Sequence, residues 1–120
     1  MAAALGAERL GLPHNPPDAV ARTRDKAAMR RALAQAGVPQ PRFALLASGA
    51  DVAVVVREVG LPCVVKPVGL SGSRGVIRAN DAEQARLTVE RVRGILAAAQ
   101  EPPGAPLLLE SYLPGAEVAL

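Results

Sequence analysis

The sequence contains no tryptophan and only one phenylalanine, one tyrosine, one cysteine and one histidine in 120 residues. Each scarcity removes a class of function. A single cysteine, Cys63, excludes an intramolecular disulfide framework and a cysteine-rich zinc site. A single histidine, His14, leaves no histidine cluster for a metal. Aromatic side chains that would stack on bases are nearly missing, net charge is only +3, and no Lys/Arg-rich run occurs. Nucleic acid is therefore not an expected partner. No apolar run approaches the roughly 18 residues of a membrane span. The first residues lack a basic segment followed by an apolar one, so they do not read as a secretory signal. The expectation is a soluble cytoplasmic protein with no membrane partner. Lysine is scarce as well: Lys26 and Lys66 stand against 12 arginines. That arginine excess, with abundant alanine and proline, reads as compositional bias, so most arginines need no functional explanation.

Half of the residues are apolar and 21% are charged, which suits a small folded domain. Residues 1–16 read as a poorly defined lead-in ending in a proline-rich segment. A helix is predicted over residues 18–36, starting after Pro16-Pro17 and stopping at Gly37 with Pro39 beyond it. Its 3.6-residue period puts Lys26, Met29, Arg30 and Leu33 on one face. Residues 43–46 read as a strand. Residues 50–59 read as a helix closed by Gly60, although the Val52–Val56 run equally suits a buried strand. Cys63–Pro67 is a strand whose alternation separates Val64 and Lys66 from Cys63 and Val65. A glycine-rich loop at 68–75 leads to an antiparallel strand at 76–79. Asn80 is the expected N-cap of a helix, with Glu83 as capping-box partner and Ala85, Val89, Val92, Leu96 and Ala99 at helical spacing. Residues 107–110 read as a strand, and residues 117–120 begin another. No turn, cap or polar tail follows that last strand, so Leu120 is expected to be a truncation point. The fold class is α/β (α+β) with a small, mostly antiparallel sheet.

The loop places glycines at 69, 72 and 75 around Ser71, Ser73 and Arg74. Glycine lets backbone N–H groups converge on an anion, and the serine hydroxyls add donors. The spacing matches neither a Walker loop nor a dinucleotide fingerprint. A strand–loop–strand hairpin covering phosphates is mechanically closer to the kinase arrangement. The plainer reading is a flexible hairpin. Lys66, on the strand just before the loop, shifts the balance, since its ammonium can reach whatever the loop covers. Lys26 taken alone is a solvated helix charge. Glu110 and Glu117 bracket a turn and taken alone read as surface charge.

Together, "ARTRDKAAMRRALAQAGVPQPRF", "GLPCVVKPVGLSGSRGV" and "LLLESYLPGAEVAL" resemble the ATP-grasp superfamily, in the family's order. The Gly-Ser-Arg-Gly-Val loop is most similar to the branch of carboxylate–amine ligases that includes L-amino-acid ligases. The resemblance implies residues 1–16 as the end of a preceding domain and 17–120 as the small subdomain of an ATP-grasp domain, incomplete at its C-terminus. It implies ATP as the bound nucleotide. Lys26 and Lys66 match the family's two nucleotide-binding lysines. Ser71, Gly72, Ser73, Arg74 and Gly75 match the loop over the triphosphate. Glu110 matches the carboxylate near the adenine amino group, Tyr112 and Leu113 the hinge whose backbone meets the adenine, and Glu117 the ribose-binding carboxylate. The implied chemistry is activation of a carboxylate as an acylphosphate, followed by attack of an amine. The family's Mg²⁺ ligands fall outside this stretch, so no catalytic or metal-ligating residue is assigned. The isolated chain is expected to be inactive, and its exposed sheet to self-associate. The alternatives are a non-catalytic nucleotide-binding or interaction module of the same fold, or a structural α+β domain.

Overall fold

The computed structural model of the protein describes residues 1–116. It divides into two compact units, Met1–Gln40 and Pro41–Leu120.

The first unit is helical. Helix α1 spans Ala2–Arg9, so the lead-in expected to lack structure carries a helix. Its alanine-rich stretch has the intrinsic propensity to form one without an amphipathic signature. The single helix predicted over 18–36 is two helices, α2 (Pro17–Arg24) and α3 (Lys26–Gln35). The break is Asp25, whose backbone is extended (φ −109°, ψ 106°). Its carboxylate accepts from the Ala28 N–H at 2.8 Å, capping α3. An aspartate competes for backbone donors wherever they are unsatisfied, and here that competition ends one helix and starts the next. The predicted stop of α3 is found. Gly37 adopts φ +73°, its N–H donates to the Ala34 carbonyl at 3.0 Å, and the Val38 N–H donates to the Leu33 carbonyl at 3.0 Å. This paired closure is the Schellman arrangement that glycine permits.

The second unit holds β1 (Phe43–Leu46), α4 (Val52–Val59), β2 (Cys63–Pro67), β3 (Ile77–Ala79), α5 (Ala82–Ala98) and β4 (Leu107–Ser111). The four strands form one antiparallel sheet in the order β1-β4-β2-β3. The ambiguous valine run is helical. Asp51 caps it, and Val55, Val56 and Val59 are buried while Val54 is exposed, a helical rather than an alternating pattern. The helix begins at Val52, two residues later than the predicted 50.

The cap of α5 is also one residue off the prediction. Asp81, not Asn80, accepts from the Gln84 N–H at 2.8 Å. Asn80 instead donates its backbone and side-chain N–H groups to Gln84 Oε1. Glu83 is not part of the cap and pairs with Arg86 at 2.8 Å.

Helices α4 and α5 cover one face of the sheet. The core there is Leu46, Val55, Val56, Val59, Cys63, Val65, Ala79, Ala85, Val89, Val92, Leu96, Leu107 and Leu109. Ala85, Val89, Val92 and Leu96 lie at the predicted helical spacing. Strand alternation then sends Val64, Lys66, Leu108 and Glu110 to the opposite face.

Candidate functional site

That opposite face gathers the charged strand residues. In the β2–β4 register Val64 lies opposite Glu110 and Lys66 opposite Leu108, so Lys66 and Glu110 are diagonal neighbours. The Lys66 ammonium donates to Glu110 Oε2 at 2.6 Å. Both side chains are largely buried, at 16% and 6% exposure. A charge held this far from water needs a partner, and each supplies the other's. An ammonium has three donors, so the contact with Glu110 does not exhaust what Lys66 can offer an anion.

The loop leaves the Pro67 end of β2. Gly72, Ser73 and Gly75 have φ values of +67°, +55° and +73°. Gly75 is the position where glycine is required twice over: besides its left-handed backbone, a Cβ there would lie 3.0 Å from Pro67 Cγ. The Val76 N–H donates to the Ser73 carbonyl at 3.3 Å. The Arg74 side chain folds back to the Ser71 carbonyl at 3.4 Å. Ser71, Gly72, Ser73 and Arg74 are exposed.

At the other end of β2 lies the segment after β4. The Tyr112 N–H donates to the Pro62 carbonyl at 2.9 Å. The Ser111 N–H donates to the Arg42 carbonyl at 2.8 Å, and the Arg42 N–H donates to Ser111 Oγ at 3.0 Å. With its N–H engaged, Tyr112 would meet a ligand through its carbonyl. Leu113 is exposed. The structure therefore sets three features in order along β2: the segment around Tyr112, the Lys66–Glu110 pair, and the glycine loop. Five residue steps along the strand take Pro62 to Pro67, about 17 Å.

Lys26 lies in the first unit as the first residue of α3, directly after the Asp25 cap. Glu117 and the strand predicted over 117–120 lie outside the described residues. Among the described residues there is no group of three or more His, Cys, Asp or Glu that could hold a metal ion. Cys63 is fully buried, and burial pushes its thiol above the usual range. His14 hydrogen-bonds the Leu12 carbonyl at 2.9 Å, a local contact in the first unit.

One residue of this face was missed from the sequence. Arg78 on β3 stacks over the Tyr112 ring, 4.0 Å from its centroid. Among 12 arginines nothing singles it out. The usable signal is positional: alternation in β3 puts it opposite Val64, on the face of Lys66.

Comparison with known proteins converges on one family. Residues 24–120 match the model of the phosphoribosylglycinamide synthetase ATP-grasp (A) domain. A D-alanine–D-alanine ligase of Cupriavidus metallidurans is 32% identical over 113 residues, covering 92% of this chain and 32% of that ligase. Among solved structures, the biotin carboxylase domain of a Hydrogenobacter thermophilus 2-oxoglutarate carboxylase, in complex with MgADP, ADP and bicarbonate, superposes with a TM-score of 0.72 at 25% identity, covering 92% of this chain and 25% of that one. An L-amino acid ligase of Bacillus licheniformis gives a TM-score of 0.61 at 27% identity, covering 92% of this chain and 23% of that one. The chain spans about a third or less of the curated relatives it matches. No helix of the described residues is long and apolar enough to cross a membrane.

Proposed function

The chain belongs to the ATP-grasp family, and from that membership we propose that it forms the ATP-binding part of a ligase that joins a carboxylate to an amine. The observation that carries the proposal is the order along β2, with a buried cation–carboxylate pair between a base-sized backbone edge and a glycine loop. Lys66 is a point charge for phosphate oxygens at the loop's end of the strand. Ser71 to Gly75 supply backbone and hydroxyl donors over them. Glu110 accepts from an exocyclic amine of the base, while the Tyr112 carbonyl and Leu113 border its edge. From the family resemblance alone, Lys26 is proposed as a further nucleotide-binding lysine, and Glu117, which lies outside the described residues, as a ribose acceptor. ATP transfers its γ-phosphoryl group to the carboxylate and leaves as ADP; the amine then attacks the acyl carbon of the acylphosphate, loses a proton and expels inorganic phosphate. The names of the relatives, a D-alanine–D-alanine ligase and an L-amino acid ligase, favour amino acids as carboxylate and amine.

A second reading keeps the fold and the nucleotide without the chemistry. Both readings require ATP to bind through Lys66. Calorimetric titration of the 120-residue chain should show ATP binding that weakens about tenfold or more in Lys66→Met. Affinity indifferent to that substitution would sink the site.

A further inference from the structure

Alternation in β4 runs on past its last residue. Leu108 and Glu110 face away from α4 and α5, and Tyr112 continues that face two residues further. Its ring is met there by Arg78 of β3, although β2 lies between β3 and β4. Arg78 pairs with Val64, and Val64 pairs in turn with Glu110. The contact thus bridges two strand spacings, about 10 Å, over the top of β2. A guanidinium is weakly hydrated and planar, which suits stacking on a ring's negative face better than an ammonium would.

The backbone leading into that ring is already tied down. Tyr112 donates to Pro62 and Ser111 exchanges two hydrogen bonds with Arg42. The stack with Arg78 adds a hold on the side chain. It also lies at the Pro62 end of β2, whereas the glycine loop leaves the Pro67 end. Arg78 is therefore placed to act on what Tyr112 touches and not on phosphates.

We propose that Arg78 is a positioning residue for base recognition: by stacking on Tyr112 it fixes the segment 111–113 against the base edge of a bound nucleotide. The inference rests on the nucleotide reading given above. It predicts a loss that depends on the base. Arg78 is exposed, so its substitution leaves the core intact.

The test uses Tyr112 itself. It is the sole tyrosine in a chain without tryptophan, so intrinsic emission reports this one ring. Wild type, Arg78→Met and Arg78→Lys are titrated with ATP and with GTP, following that emission and, in parallel, heat. Arg78→Met should change the emission of the ligand-free protein, weaken ATP about fivefold, and narrow the preference for ATP over GTP. Arg78→Lys, which keeps a cation, should recover part of both. An equal loss for the two nucleotides would assign Arg78 to phosphates or to general stability and overturn the proposal. Unchanged ATP affinity in Arg78→Met would overturn it too, with the nucleotide site standing. Failure of wild type to bind ATP would remove the nucleotide reading and this inference together.

Discussion

The Lys66–Glu110 contact bears on stability and on the proposed nucleotide site alike. Their 2.6 Å pair is largely removed from water, at 16% and 6% exposure. Surface ion pairs contribute little, but a buried one is costly to break, because the survivor keeps its desolvation penalty and loses its partner. Lys66→Met should therefore lower stability by about 3 kcal/mol. The double variant Lys66→Met/Glu110→Leu should recover most of that loss, since it leaves no charge behind. Urea denaturation of the two variants measures this. A double variant no more stable than the single one would show that the pair is not the source of the cost. On the proposed function, the same geometry readies the pair for an anion. Glu110 already holds Lys66 at the sheet face, so a phosphate meets an ordered cation rather than a mobile one.

The glycine loop is the element in which sequence and structure agree most closely, and its glycines are not equivalent. Gly75 combines φ +73° with a Cβ position 3.0 Å from Pro67 Cγ. Gly72 has φ +67° but open space around it, and Gly69 has open space and no left-handed backbone. Alanine should consequently cost most at Gly75, about 2 kcal/mol, about 1 kcal/mol at Gly72, and close to nothing at Gly69. Thermal unfolding of the three single variants gives the order directly, and a destabilised Gly69→Ala would contradict it. Strand β2 was equally readable, because alternation is a local property: Cys63, Val65 and Pro67 are buried and Val64 and Lys66 are less so. The break between α2 and α3 was not. Asp25 fits a helical period as well as a cap, and only its extended backbone distinguishes the two. The one-residue shift from Asn80 to Asp81 has the same origin, two adjacent residues with equal capping ability.

At the scale of the whole molecule, what the sequence could not state was pairing between distant segments. Strand β4 inserts between β1 and β2, and the Lys66–Glu110 contact spans 44 residues. Local patterns identify strands but not their neighbours, so the charged pair was legible as two separate candidates and not as one contact. The Arg78–Tyr112 stack was hidden for the same reason. Chemistry is set at this scale too. The described residues place cation, carboxylate and loop along one strand, yet assemble no group of three or more potential metal ligands. The chain spans 32% of the D-alanine–D-alanine ligase it resembles. Binding and turnover should therefore separate. With ATP, Mg²⁺ and D-alanine, the 120-residue chain should bind nucleotide but release ADP no faster than a Lys66→Met control. Phosphoryl transfer needs developing charge on the transferred group to be neutralised, and positioning alone leaves most of the barrier standing. Coupled-enzyme detection of ADP decides the matter: sustained, amino-acid-dependent release would show that these residues carry the catalytic apparatus as well as the nucleotide site.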